Sequence, residues 1–177
     1  MRKIILGVAV SLDGYIEGPN GEYDWCPPPS TTEMNSFLNR VDTVFFGRKS
    51  YELAGTSMFP GKECFVFSNT LKSVKGKDIY LVNGDVVKKV NELKIQKGKD
   101  MWLFGGATLT TTFMNAGLVD ELWLGVVPVV LGAGKPLFQN IEQRKYFSVQ
   151  KVTQLNGYLS LKLTRTETPV KKGRKRN

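Results

Sequence analysis

A chain of 177 residues with 41% hydrophobic and 23% charged residues has ordinary globular composition and the length of one domain with a substantial core. It holds no histidine and only two cysteines, Cys26 and Cys64, which excludes a Ser-His-Asp triad, a histidine general base, histidine-ligated zinc chemistry and a disulfide framework. Lys171, Lys172, Arg174, Lys175 and Arg176 crowd the last eight residues; subtracting those five from the 25 Lys and Arg leaves 20 against 16 acids, so most of the net charge of +9 belongs to the tail.

The opening MRKIILGVAV places basic residues before an apolar stretch but lacks a small-residue cleavage site, and reads as a first strand over 3–10. No apolar run approaches the roughly 18 residues of a membrane span, so a cytoplasmic location is expected. A glycine-rich loop follows and runs through Pro27, Pro28 and Pro29. Next comes a helix over 31–38, whose Ser30-Thr31-Thr32-Glu33 opening resembles a capping box, with Ser30 accepting from the Glu33 backbone. Further strands are predicted at 42–46, 63–68, 79–82, 101–104 and 121–130, and further helices at 49–53, 86–95 and 109–114. The chain closes with strands at 147–154 and 158–166, joined by Asn156-Gly157, the favoured pair for a type I′ hairpin turn.

Short continuous apolar strands alternating with helices mark a buried, mostly parallel sheet. The expectation is therefore α/β, with the sheet flanked by helices, a C-terminal antiparallel hairpin, and one domain over 1–168. The basic residues 169–177 read as a frayed, solvated terminus rather than a nucleic-acid grip, because the body shows no basic and aromatic patch to continue it.

Open α/β sheets bind ligands beyond the carboxyl ends of their strands, and three predicted ends carry unusual residues. Gly47-Arg48-Lys49-Ser50 combines a glycine with charge and a hydroxyl at a helix start, and Gly105-Gly106 lies between Phe104 and Ala107-Thr108-Leu109. Both junctions let backbone approach a phosphate, although each also serves as an ordinary turn. Ser68-Asn69 offers small polar groups for a ribose or 2′-phosphate, or an Asx-type turn. Asp13, directly after the first strand, is a candidate carboxylate for substrate contact or catalysis, and equally initiates the turn that Gly14 completes. Trp25 precedes the proline run in a polar loop, where its indole caps a pocket or meets a second copy.

SLDGYIEGPNG, DTVFFGRKSYE, LFGGATL and VDELWLGVVPVVLGAGKPLF, in this order, resemble the RibD C-terminal domain family within the dihydrofolate reductase fold. The resemblance runs from about Lys3 to about Thr166 and implies a three-layer sandwich, NADPH as hydride donor, and a homodimer. It implies that Gly47, Arg48 and Ser50 form a phosphate-binding turn, and that Ser68 and Asn69 lie near the 2′-phosphate. Phe104, Gly105, Gly106, Ala107, Thr108 and Leu109 would form the pyrophosphate turn, with Val8, Ala9 and Ile16 lining the nicotinamide. Val127, Pro128 and Leu131 would lie by a loop approaching the pocket.

The chain departs from authentic dihydrofolate reductases at two substrate positions: Thr31 stands where an acid holds the pteridine, with Glu33 two residues on, and about Gly125 a threonine is replaced. Both changes argue against ordinary folate reduction. No deaminase half accompanies the domain, since there is no paired-cysteine zinc motif. The implied activity is hydride transfer from NADPH to a pyrimidine- or pteridine-like heterocycle, such as 5-amino-6-(5-phosphoribosylamino)uracil or a dihydrofolate-like pterin. Asp13 and Glu33 are the carboxylates for substrate contact and proton supply, and Asp13, Trp25, Val127 and Pro128 the substrate-side residues. The alternative is a non-catalytic nucleotide- or metabolite-binding dimer on the same fold.

Overall fold

The computed structural model describes residues 1–168, and the expected tail 169–177 lies outside the described residues. In chain order the elements are β1 (Ile4–Ser11), β2 (Tyr15–Glu17), α1 (Thr31–Arg40), β3 (Val41–Gly47), α2 (Arg48–Ala54), β4 (Glu63–Phe67) and β5 (Ile79–Val82). There follow α3 (Val86–Lys94), β6 (Asp100–Gly105), α4 (Ala107–Asn115), β7 (Glu121–Val127), β8 (Lys135–Pro136), β9 (Tyr146–Leu155) and β10 (Tyr158–Thr166). Eight strands form one sheet in the order β5-β4-β3-β6-β1-β7-β10-β9. The first six run parallel, and β10 pairs antiparallel with both β7 and β9. This is the expected mostly parallel sheet with an antiparallel C-terminal hairpin.

Strand alternation distributes the core over two faces. Leu6, Phe45, Phe67 and Leu103 turn to one side, where Val90 and Leu93 of α3 and Leu109 and Phe113 of α4 cover them. Ile5, Val44, Phe46, Val66 and Trp102 turn to the other and meet Phe37 of α1. At the amino ends of the strands, charges pair off: buried Arg2 binds Asp42, and Lys94 reaches Asp120 at 2.7 Å. Lys62 donates to the carbonyls of Leu38 and Val41 at 2.6 and 2.7 Å, closing the end of α1. A cleft opens at the opposite, carboxyl ends of the strands.

Three expectations are corrected. Strand β7 stops at Val127 rather than at residue 130, because Pro128 has no N–H to donate to a ladder. The antiparallel pair β2 and β8, in which Tyr15 faces Pro136 and Glu17 faces Lys135, was not predicted. The Asn156-Gly157 connection is the expected two-residue turn, but only Gly157 takes a positive φ, of 91°. A type I′ turn needs positive φ at both residues, whereas a glycine alone at the second position belongs to a type II turn.

Candidate functional site

Four neighbouring strands end in register. Phe46 pairs with Gly105, Gly47 with Phe67, and Phe67 with Val82, so β6, β3, β4 and β5 present their last residues along one edge. Over this edge lies a cleft of about 360 Å³. Its floor is Gly47, Phe67, Val82 and Gly106, and its walls are the first turns of α2, α3 and α4.

The cleft is built for close backbone approach. A Cβ on Gly47 would stand 3.6 Å from both the Gly105 carbonyl oxygen and the Gly106 nitrogen, and one on Gly106 would stand 3.3 Å from Ser50 Oγ. A Cβ at Gly47 would thus make ordinary contacts, and one at Gly106 a slightly tight one with a side chain. The Gly105–Gly106 peptide is cis.

Helix capping separates the helices into two kinds. Ser30 caps α1 by accepting from Glu33 N, and Asp85 caps α3 by accepting from Lys88 N at 2.9 Å. Helices α2 and α4 instead begin after Gly47 and Gly106, with no side-chain cap and no acid in the first turn. These two glycine-capped starts are the ones on either side of the glycine contact. The α4 start thus turns unpaired N–H groups and a positive dipole end toward the cleft. Arg48, Lys49 and Lys135 line the same space, and among the described residues no carboxylate does. Such a lining attracts an anion.

The structure brings most of the sequence-derived cofactor residues together: Gly47, Arg48, Ser50, Ser68, Asn69, Gly106, Ala107, Thr108 and Leu109 all line the cleft. Gly105 does not line the cleft, and its carbonyl oxygen lies beside Gly47. Arg48 is held by Glu52 at 3.0 Å. Ser68 Oγ accepts from Thr70 N and Leu71 N, and Asn69 Oδ1 from Gly84 N, so these side chains also shape their own turn.

The remaining candidates sit elsewhere. The Phe104 ring packs on Phe46, Trp102 and Phe59 with centroids 5.0, 5.3 and 5.6 Å away, on the α1 side of the sheet, and only its backbone leads into the turn. Ala9 is half-buried opposite Gly125, whose free side is filled by the Tyr158 ring. Ile16 packs with Val8 against the α4-side core. Trp25 is half-buried and donates to the Glu22 carbonyl at 3.3 Å; Val127 is buried at the end of β7, and Pro128 is exposed. None of these lines the cleft.

The two candidate carboxylates differ. Asp13 accepts from Ser11 Oγ at 2.7 Å and from the amides of Leu131 and Gly132 at 3.1 and 2.8 Å. The Ser11 hydroxyl, aided by those amides against partial desolvation, holds its carboxyl below the ordinary range. These bonds fit the turn-forming reading. Glu33 lies in the first turn of α1, 3.5 Å from Lys162 Nζ, and its Oε2 is buried with no hydrogen-bond partner among the described residues. Ser30, one turn earlier, donates its amide to Tyr158 Oη at 2.9 Å, which ties this end of α1 to β10.

Sequence reasoning missed Val82, Gly84, Val86, Thr112 and Lys135 as cleft residues. A signal for the first three existed: a strand, then Gly84, then a helix, the same pattern as at Gly47. Lys135 carried none. Among the described residues no group of Cys, Asp and Glu is placed to hold a metal ion, and no helix is long and apolar enough to cross a membrane.

The sequence matches the RibD C-terminal domain family over residues 58–169. The uncharacterized protein YyaP of Bacillus subtilis (strain 168) is 45% identical, with 81% of this chain and 84% of YyaP covered. A solved protein of Shewanella sp. PV-4, named for riboflavin biosynthesis, is 30% identical with a TM-score of 0.81, covering 94% of this chain and all of that one. The deaminase/5-amino-6-(5-phosphoribosylamino)uracil reductase of Thermotoga maritima shares the fold with a TM-score of 0.72 at 14% identity; the match covers 93% of this chain and 57% of that protein.

Proposed function

This chain belongs to the RibD C-terminal domain family, and we propose that it is an NADPH-dependent reductase acting on a small pyrimidine- or pteridine-like heterocycle. The observation that carries the reading is the meeting of the Gly47 and Gly105-Gly106 junctions at the uncapped start of α4, with backbone of one beside backbone of the other.

Each wall of the cleft then has a task. The amides of Ala107, Thr108 and Leu109 meet the diphosphate, with Gly47 and Gly106 giving it room. Arg48, Lys49, Ser68 and Asn69 take the adenosine end and its 2′-phosphate. Ala9, Val8 and Ile16 supply apolar surface for the nicotinamide at the carboxyl end of β1. Bound NADPH supplies the hydride; the protein's part is to align donor and acceptor and exclude water. Glu33 is the carboxylate we assign to substrate contact and to the proton that completes the reduction. Its unpartnered oxygen sits at the start of α1, where a ring N–H would satisfy it. Asp13, with its oxygens engaged, is the weaker candidate for touching substrate. Trp25 and Pro128, from loops, and Val127, at the end of β7, would border that substrate.

We assign a homodimer to the same reading. The terminal strand β9 is long and, among the described residues, unpaired on its outer edge, and Val149, Val152 and Leu159 lie exposed on β9 and β10. A long apolar edge without cover invites pairing with another chain, and a second copy is the occupant proposed here. A cytoplasmic location, where NADPH is regenerated, goes with this function.

The test is a titration with NADPH followed by turnover assays across ribosylaminopyrimidines, pterins and flavins. Saturable binding with oxidation of NADPH by one of these classes is expected. Binding without turnover would leave the non-catalytic nucleotide-binding dimer, and no binding would end both readings.

A further inference from the structure

Lys135 reaches the cleft from an unexpected direction. It belongs to Gly132-Ala133-Gly134-Lys135-Pro136-Leu137, a segment with neither helical nor strand periodicity. The fold nevertheless fastens this segment at several points. Asp13 accepts from the Leu131 and Gly132 amides. Glu17 of β2 lies opposite Lys135 of β8. Leu137 N donates to the Gly14 carbonyl at 2.9 Å, and its side chain is buried. Beyond them, Thr111 of α4 donates its hydroxyl to the Gln139 carbonyl at 2.9 Å. Gly134 takes a φ of +138°, and a Cβ there would run into the Glu17 carbonyl oxygen and stand 3.0 Å from Gly18 Cα. The segment is thus a strap drawn tightly from β1 to the flank of α4.

The strap delivers one cation. Lys135 lines the cleft together with Thr108 and Thr112 of α4, while Arg48, Lys49, Ser68 and Asn69 come from the β3 and β4 side. Positive groups therefore flank the uncapped start of α4 from both directions. Lys135 Nζ rests 2.9 Å from Glu17 Oε1, and both side chains are about one-third exposed, at 29% and 34%. An ion pair this exposed contributes little and exchanges readily for a phosphate oxygen.

We propose that Lys135 is a diphosphate-binding residue of the cleft, and that Asp13 is a positioning residue that holds the strap carrying it. The proposal rests on the NADPH-binding reading and deepens it. It gives Asp13 a role through Lys135 rather than at the reacting atoms, and Glu17 the role of resting counter-ion.

Calorimetric titration with two ligands tests it: NADPH, and adenosine 2′-phosphate, which carries neither phosphate of the diphosphate bridge and lacks the nicotinamide half. Lys135→Ala should weaken NADPH about tenfold, the loss of one charge-assisted bond, while adenosine 2′-phosphate changes by less than about twofold. Lys135→Arg should recover most of the loss. Asp13→Ala should weaken NADPH in the parent and have little further effect in the Lys135→Ala background, since the two act as one unit. Unchanged NADPH affinity in Lys135→Ala, or an equal loss for both ligands, would overturn the diphosphate assignment. Additive losses from Asp13→Ala would overturn its positioning role. A parent protein that binds both ligands but ignores Lys135→Ala defeats this inference alone, whereas one that binds neither defeats the NADPH reading and takes Lys135 with it.

Discussion

Arg48 and Glu52 stand one turn apart on α2, and both carboxylate oxygens accept from the same Arg48 nitrogen, at 3.1 and 3.0 Å. Both side chains are more than two-fifths exposed, at 42% and 45%, so the pair adds little to stability. Arg48→Ala should therefore shift the melting temperature by less than about 2 °C. If its guanidinium serves a phosphate, NADPH affinity should fall about tenfold, and the parent should prefer NADPH over NADH by at least about that factor. Equal affinities for the two dinucleotides would remove the 2′-phosphate from this corner of the cleft.

Glu33 keeps an unpaired carboxylate oxygen out of water, an arrangement that costs stability unless a ligand completes it. Glu33→Gln preserves shape while removing the charge. Turnover should fall about a hundredfold, in the range for a lost acid–base group, with NADPH affinity unchanged. The melting temperature should hold or rise. A variant with parental turnover and lower stability would make Glu33 a partner of Lys162 and nothing more.

Gly134 and Gly132 separate backbone strain from crowding. Both have positive φ, +138° and +74°, but only Gly134 has neighbouring backbone where a Cβ would go. Gly132→Ala should cost about 1 kcal/mol. Gly134→Ala should cost roughly 2–4 kcal/mol, because the strap must lift from Glu17. Urea unfolding midpoints would rank the two, and equal losses would mean the strap is loosely held.

The pH dependence of stability should have a component from Glu121. Burial pushes its carboxyl up, but hydrogen bonds from Arg40 at 2.7 Å and Lys3 at 2.8 Å outweigh that and hold it below the ordinary value. A carboxylate lowered in the folded state binds fewer protons than in the unfolded chain. Its contribution is present above the usual carboxylate range and is lost as pH falls through the folded value. Glu121→Gln should cost about 1–2 kcal/mol at neutral pH and converge with the parent in acid. Parallel stability curves down to low pH would place the acid sensitivity elsewhere.

Val152 and Val149 project from one face of the hairpin, 54% and 63% exposed, paired with Leu161 and Leu163 of β10. Val152→Lys should convert a dimer to monomer in sedimentation without lowering monomer stability by more than about 0.5 kcal/mol, as for an ordinary surface change. A parent chain that sediments as a monomer would dismiss the second copy as occupant.

Local chemistry made much of this molecule legible from its residues. The Ser30 cap, the apolar runs of β1, β3 and β6, and the glycines at residues 47, 105 and 106 depend on neighbours in the chain, and a strand–glycine–helix junction reads the same wherever it falls. Parallel strands then bring those junctions to one edge, so the cradle was foreseeable in outline. Four features were decided only by the tertiary structure. The β2–β8 ladder is too short to show periodicity, and its register exists because Asp13 and Gly14 hold the chain from Leu131 to Leu137. The direction of the Phe104 ring follows from the sheet's alternation against Phe46 and Trp102, which commits it to packing. Lys135 reaches the cleft, and Glu33 Oε2 is left without a partner, through contacts between segments far apart in sequence. Backbone preference is set by adjacent residues, but the charge a site presents is set by which distant segments closure brings alongside it.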